Sequence, residues 1–281
     1  MKKKTILITG VSSGLGNAFA KKAIEEGHKV IGTVRNQKSA QDFSNLNTQL
    51  AYPVLLDINN FDEIPKVVEN ILNTHGSIDV LINNAGYGHE GILEESPLQE
   101  LIDQFNTNVF GVVAMIKAVL PSMRKNRNGH IINVTSMGGF ITMPGISYYC
   151  GSKFALEGIS ESLGKEVKDF NIHVTTLAPG QFRTDWAGRS MKRSNRVIND
   201  YDEIMNPIRE AREKKSGFQP GDPDKAAQAV MKIIQTQNPP TRLYLGDDAL
   251  LFVNDKLNSM KNEISKWEEL SRSTNFVEKG N

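Results

Sequence analysis

Ser136, Tyr149 and Lys153 are three side chains whose types and spacing could move a proton. Phe154, Leu156, Ile159, Leu163 and Val167 recur at three- and four-residue intervals, which predicts a helix from Ser147 to Asp169. On such a helix Tyr149 and Lys153, four apart, face the same way. A free phenol has a pKa of about 10, and an ammonium beside it favours the phenolate. Lowering that pKa by about 2 to 3 units takes roughly 3 to 4 kcal/mol, which a cation in a partly desolvated site can supply. Tyr149 is then a candidate general acid toward a carbonyl oxygen and a base toward an alcohol. Ser136 would hydrogen-bond the reacting oxygen, since a hydroxyl both donates and accepts. A tyrosine and lysine one turn apart are common on helix surfaces, so the pair alone is a weak signal.

The segments that must position these groups strengthen it. Thr5-Ile6-Leu7-Ile8 is a short, wholly apolar run that reads as a buried parallel strand. It feeds the turn Thr9-Gly10-Val11-Ser12-Ser13-Gly14-Leu15-Gly16 and then a helix to about Glu26. Gly10, Gly14 and Gly16 let the backbone approach a pyrophosphate, with Ser12, Ser13 and Leu15 between them at a helix N-terminus that favours anions. The spacing is G-x-x-x-G-x-G, unlike the commoner G-x-G-x-x-G fingerprint. The second strand, Lys29 to Val34, ends in Arg35 with no carboxylate beside it. An acidic residue there binds the ribose hydroxyls of NAD, whereas an arginine accommodates the phosphate of NADP. The expectation is therefore NADP (NADPH) in preference to NAD. With the proton donor, these parts are the equipment for hydride transfer.

Seven motifs in order, from residue 4 to about 246, resemble the short-chain dehydrogenase/reductase family. They are the glycine turn, Asp57 after Val54-Leu55-Leu56, Asn83-Asn84-Ala85-Gly86 after Val80-Leu81-Ile82, Asn108 in a predicted helix, Ser136 after Ile131 to Val134, Tyr149 with Lys153, and Pro179-Gly180 with Thr184. The resemblance implies a single Rossmann-type domain over residues 1–281, an α/β doubly wound parallel sheet with helices on both faces. It assigns Asp57 and Ile58 to the adenine, and Asn83, Asn84, Ala85 and Gly86 to the floor of the cofactor groove. Pro179 and Gly180 line the groove, and Thr184 meets the carboxamide. Lys153 serves the nicotinamide ribose as well as Tyr149, and Asn108 supports a water relay. Pro179 to Gly188 and the long tail further resemble the branch of 17β-hydroxysteroid and retinol dehydrogenases and many bacterial oxidoreductases, which suggests a substrate with an apolar body. By the same resemblance a homodimer forms through the helices carrying Asn108 and Tyr149.

Two other readings share parts of this pattern. A non-catalytic NADP-binding regulator would keep the glycine turn and Arg35 but has no need of Ser136, Tyr149 and Lys153 together. A sugar epimerase or dehydratase would share Tyr149 and Lys153, but that group usually has another glycine spacing and a larger C-terminal domain.

The 33 basic and 32 acidic residues leave a formal net charge of +1, so global charge points to no nucleic acid partner. No apolar stretch is expected to span a membrane, and Met1-Lys2-Lys3-Lys4 leads into a strand instead of a signal core, so the expected location is cytoplasmic. The lone Cys150 permits no intrachain disulfide, and the five histidines have no metal-ligand spacing, so no metal is expected. Asp222-Pro223 marks a helix start and Arg242 to Leu245 a last strand. The polar segment 184–221 reads as a substrate lid in which Trp186, Met191, Met205 and Phe218 could line an apolar pocket. Its basic run Arg189, Lys192, Arg193, Arg196 reads first as a solvated face and second as a seat for an anionic tail. In the helical extension 247–281, Leu250, Val253, Leu257, Met260, Ile264 and Trp267 form an amphipathic stripe. The first expectation is a helix packed on its own domain. The alternatives are closure over the substrate or contact with another subunit, and a long tail here argues against tetramers built on the sheet end.

Overall fold

Ile6, Leu7 and Ile8 are all fully buried, yet they serve two different cores. Alternate side chains of a strand point to opposite faces. Ile6 and Ile8 join Phe19, Val30 and Ile82 on one side of a sheet, while Leu7 joins Ile31, Leu81 and Ile131 on the other. Burial on both faces is why these strands read as continuous apolar runs.

The computed structural model describes residues 3–188 and 190–276, with Ala187 by its backbone alone. The strands are β1 (Thr5–Ile8), β2 (Lys29–Val34), β3 (Ala51–Leu55), β4 (Val80–Asn83), β5 (Gly88–Glu90), β6 (Gly129–Val134), β7 (Ile172–Pro179), β8 (Met191–Arg193) and β9 (Arg242–Leu245). The helices are α1 (Gly14–Glu25), α2 (Gln37–Ser44), α3 (Ile64–His75), α4 (Leu98–Phe105), α5 (Gly111–Asn126), α6 (Ser147–Val167), α7 (Asp202–Lys215), α8 (Pro223–Gln235), α9 (Asp247–Lys266) and α10 (Glu268–Arg272). Seven strands form one parallel sheet in the order β3-β2-β1-β4-β6-β7-β9. Side chains of α1 and α8 fill the core on one face, and those of α3, α5 and α6 fill it on the other. This is the doubly wound α/β fold expected from the sequence. The strand order reverses between β1 and β4, and ligands of such sheets bind in the crevice beyond the carboxyl ends at that point.

Local signals placed most of these elements. Asp222 caps α8, its Oδ1 accepting the Asp224 amide at 2.9 Å, with Pro223 at the first helical position. Between α4 and α5 the chain widens into a π-helical segment, Asn106–Phe110, where a plain helix was expected around Asn108. Such segments concentrate at functional sites because they re-aim side chains without breaking a helix. Together Leu98–Asn126 is long and apolar enough, by length and composition, to cross a membrane. That overturns the expectation that no stretch qualifies, and the physical reason is packing: Val112, Met115, Ile116, Val119 and Met123 are core residues.

The lid segment departs further from expectation. It contains α7 and the strand β8, which pairs in parallel with β5, Gly88 opposite Met191 and Glu90 opposite Arg193. Neither three-residue strand carries an apolar alternation, so the pairing arises only in the folded chain.

Candidate active site

Ser136, Tyr149 and Lys153 converge at the carboxyl end of β6. Ser136 follows that strand and caps a short 3-10 turn, its Oγ accepting the Gly138 amide at 3.0 Å. Tyr149 and Lys153 lie one turn apart near the start of α6, and all three side chains are buried. Burial raises the Tyr149 phenol above its ordinary value, and a hydrogen bond with Ser136 pulls it partly back. Lys153 Nζ donates to the Val134 carbonyl at 2.9 Å and sits 5.8 Å from the centre of the Tyr149 ring. The expected lowering of the phenol by Lys153 is therefore not what this arrangement does: the ammonium is turned to the end of β6, and desolvation dominates. Burial also lowers Lys153 to about 8, with the Glu157 carboxylate one turn further on pulling it up. Glu157 is itself held by Thr135, which donates at 2.6 Å, and by Arg242 of β9 at 2.9 Å.

The π-helical segment turns Asn108 into this cluster. Its Nδ2 donates to the Tyr87 carbonyl at 3.1 Å and to Ser152 Oγ at 3.2 Å, while Oδ1 accepts the Tyr87 amide at 3.2 Å. Ser152 in turn donates to the Tyr149 carbonyl at 2.7 Å, so Asn108 is tied to the helix carrying the phenol. Gly86 lies against it, because a Cβ there would come within 3.0 Å of Asn108 Oδ1 and 3.8 Å of Lys153 Nζ.

The glycine turn lies across the same crevice. Gly14 has φ +58°, a conformation favouring glycine, and a Cβ on Gly16 would lie 2.3 Å from both the Gly10 carbonyl oxygen and Asn84 Nδ2. Asn84 Nδ2 donates to the Thr9 and Gly10 carbonyls at 3.0 Å each, and Thr9 Oγ1 accepts the Asn84 and Ala85 amides at 3.0 Å. These bonds strut the turn against the end of β4. Asn83 is a core residue donating to Asn133 at 2.8 Å. Ser13 is the extended N-cap residue of α1, and its hydroxyl caps none of the described α1 amides; Ser12 beside it is exposed and Leu15 half-buried. Thr184 faces Gly14, a Cβ on which would come within 3.8 Å of it, and Pro179-Gly180 lead there from β7. Gly180 itself admits no side chain, because a Cβ would strike Asp248 Oδ1 at 2.2 Å.

These residues fit a dinucleotide. The cradle is lined by backbone amides and free of a Cβ at Gly16, and an anion there meets the positive end of α1. Arg35 is exposed one residue beyond β2, with no carboxylate from Val34 to Asn36. Asp57 is exposed beyond β3, its Oδ1 accepting the Asn59 amide at 3.0 Å. The Ile58 side chain instead packs in the core beside Gly111.

The segment expected to be a lid, 184–221, borders the site. The Trp186 ring sits 5.1 Å from that of Tyr149, and Met191 and Met205 are buried, whereas Phe218 is exposed and lines nothing here. Arg189 lies outside the described residues. In the rest of the basic run Lys192 and Arg193 are exposed, as a solvated face expects, and Arg196 is half-buried, while carboxylates engage all three. Lys192 pairs with Asp103 at 3.3 Å, and Arg196 with Glu95 at 3.1 Å and with Asp202. Arg193 lies 4.0 Å from Glu90. Glu90, only 2 % exposed, also faces Arg209 at 3.3 Å and Arg212 at 3.4 Å from α7. Ser194 donates to Glu100, which His89 also contacts at 2.8 Å. Ser152, Glu157 and Glu90 were given no role from the sequence, nor was the Thr9 hydroxyl. Each is a common residue type whose importance lies in a partner distant in the chain, or in a turn with no motif of its own.

A buried serine, tyrosine and lysine beside a nucleotide cradle, at the switch point of a parallel sheet, define a nucleotide-dependent oxidoreductase. Residues 4–195 match the family model described as short chain dehydrogenase, and the chain belongs to that family. It is 40% identical over 249 residues to a 3-ketodihydrosphingosine reductase of Bacteroides thetaiotaomicron, covering 88% of this chain and 89% of that one. A short-chain dehydrogenase from Streptomyces avermitilis has a similar structure, with a TM-score of 0.91 and 37% identity over 98% of this chain and 100% of that one. The closed form of a serine dehydrogenase, complexed with NADP+, superposes with a TM-score of 0.73 at 25% identity, covering 86% of this chain and 94% of that one.

Proposed function

We propose that the protein is an NADP(H)-dependent oxidoreductase that interconverts a carbonyl and an alcohol, with Tyr149 as general acid and base. The observation that carries this reading is the buried pairing of Tyr149 with Ser136 beside Lys153. The cofactor, when bound, supplies or accepts the hydride. As a carbonyl is reduced, Tyr149 Oη gives its proton to the carbonyl oxygen, and Ser136 donates a second hydrogen bond that holds this oxygen in place. A phenol is protonated at neutral pH, so Tyr149 enters carbonyl reduction as an acid. Lys153 holds the ribose, and Asn108, tied through Ser152 to α6, orders the route for the replacement proton. Arg35 selects the 2′-phosphate of NADP, in line with the NADP+ held by the serine dehydrogenase.

The substrate is a carbonyl carried on an apolar body, as in the 17β-hydroxysteroid and retinol dehydrogenase branch. The name of the reductase from Bacteroides supports this, as does the Trp186 ring 5.1 Å from that of Tyr149. Leu98, Ile102 and Phe110, exposed on or just past α4, and Phe154 and Ile159, exposed on α6, support a homodimer through those helices.

The test is NADPH consumption over a panel of aldehydes, ketones, quinones, ketosteroids and long-chain 3-keto amines, with NADH as control. Turnover that prefers NADPH and disappears in Tyr149→Phe, with cofactor binding retained, is expected. Turnover retained in Tyr149→Phe refutes the assigned acid.

A further inference from the structure

The helical extension leaves the domain with its apolar stripe uncovered. At the base of α9, Ala249 and Val253 pack with Met137, Ile141 and Tyr244. From Asn254 to Phe276 every residue is exposed, including Leu257, Met260, Ile264, Trp267 and Leu270. The expectation of a tail packed along its own domain thus holds only for the first two turns. A helix that touches nothing lacks the tertiary packing from which most helical stability comes, and isolated helices of about 12 to 15 residues are marginal in water. The projecting half of α9 is built to be covered.

The residue pattern identifies the cover. Leu250, Val253, Leu257, Met260, Ile264 and Trp267 alternate steps of three and four, the a and d positions of a heptad seam. The flanking g positions are Lys256 and Glu263, and the e positions are Asn254, Lys261 and Glu268. A parallel pair of such helices would set Lys256 against Lys261 and Glu263 against Glu268, like charges in both cases. An antiparallel pair centred between Asn258 and Ser259 sets Leu257 opposite Met260 and Leu250 opposite Trp267. In this register g positions lie along the same edge as g positions of the other copy, and Lys256 of each copy falls about 3 Å out of level with Glu263 of the other, within reach of its side chain, so the complementary pair occurs twice. A membrane surface fits less well. From Asp247 to Arg272 six acidic residues outnumber four basic ones, whereas helices that lie on anionic lipid carry a basic polar face.

We propose that the cover is a second copy of this chain, the two α9 helices pairing antiparallel across a twofold axis near Asn258. The pairing is separate from contact through α4 and α6, and it does not depend on the proposed reaction. Where both contacts form and their twofold axes meet at right angles, the assembly closes as a tetramer of 222 symmetry, built through the tail helices.

Light scattering coupled to gel filtration, over a dilution series, tests this on the full chain. Leu257→Glu with Ile264→Glu should halve the assembly mass of wild type. Lys256→Glu and Glu263→Lys should each shift the dissociation midpoint to at least tenfold higher concentration. The double variant Lys256→Glu with Glu263→Lys, which restores both pairs in mirror image, should return it to near the wild-type value. NADPH binding should be unchanged throughout, which separates loss of pairing from loss of fold. The same mass for wild type and the apolar-seam variant overturns the proposal. So does a double variant no better than either single, or co-sedimentation of wild type with phosphatidylserine vesicles that Leu257→Glu abolishes.

Discussion

Lys153→Met should remove a pH dependence of folding that the wild type carries. Lys153 is 6% exposed, and burial lowers its pKa from 10.5 to about 8. Below about pH 8 the lysine is charged in both folded and unfolded chains, and the folded state bears the full cost of its desolvation. Between the two pKa values the unfolded chain binds more protons than the folded one, so stability rises with pH through this window. The shift of 10.5 − 8 = 2.5 units corresponds to about 3 kcal/mol in all. Integrated from about pH 7 to pH 10 the gain from this one group is about 2.5 kcal/mol. In a chain of this size that is roughly 5 to 10 °C of Tm.

The assay is urea unfolding of wild type and Lys153→Met at several pH values, taking the difference between them. Subtraction removes groups that titrate alike in both proteins, the buried His130 among them. The variant also loses the Val134 carbonyl's donor, which lowers stability by the same amount at every pH and leaves the slope untouched. A difference that stays flat from pH 7 to pH 10 would refute the reasoning, because it would mean that Lys153 titrates alike in both states. A wild-type stability that falls relative to the variant with rising pH would reverse its sign.

Arg35→Ala should weaken NADPH binding by roughly 10- to 100-fold, the worth of hydrogen bonds to a charged group, and leave NADH unchanged in fluorescence titrations; equal losses for both would count against the phosphate role. Gly16→Ala should raise the Kd for NADPH at least about tenfold, since its Cβ must displace the Gly10 carbonyl or Asn84. Wild-type affinity in that variant would show the cradle to be looser than drawn. Glu90→Gln should loosen the lid by about 2 kcal/mol, because Arg209 and Arg212 then lose the charge of the buried carboxylate that both face. Trypsin should cut between β8 and α7 faster and KM should rise more than kcat falls; an unchanged cleavage rate would mean that the strand pair alone holds the lid.

How much of this was legible in the sequence follows from where each part keeps its partners. β1 with the glycine turn, and Tyr149 with Lys153, are written within single stretches, because a strand, a turn and a helix face are local structures. The sheet and the cradle could therefore be read before any coordinate was known. The proton donor's acidity could not, since the direction in which Lys153 Nζ points is decided by the Val134 carbonyl on another element. Nor could β5 and β8, or Glu90, because a carboxylate acquires a role only when burial and three arginines surround it.

That division follows function. Chemistry at the C4 face of a nicotinamide needs the same few atoms for any substrate, and those atoms sit on rigid elements with contiguous signatures. Other contacts tie residues 88–103 to residues 191–212, about a hundred positions apart, and to the start of α6. Glu95 accepts the Val197 and Ile198 amides at 3.0 and 2.7 Å, Tyr201 donates to Glu94 at 2.6 Å, and Tyr148 donates to the Ser96 carbonyl at 2.9 Å. Each such contact can be exchanged for another of equal strength without disturbing Tyr149. The proton donor and cradle rest instead on contiguous motifs, which is why the sequence speaks plainly about the reaction and faintly about what undergoes it.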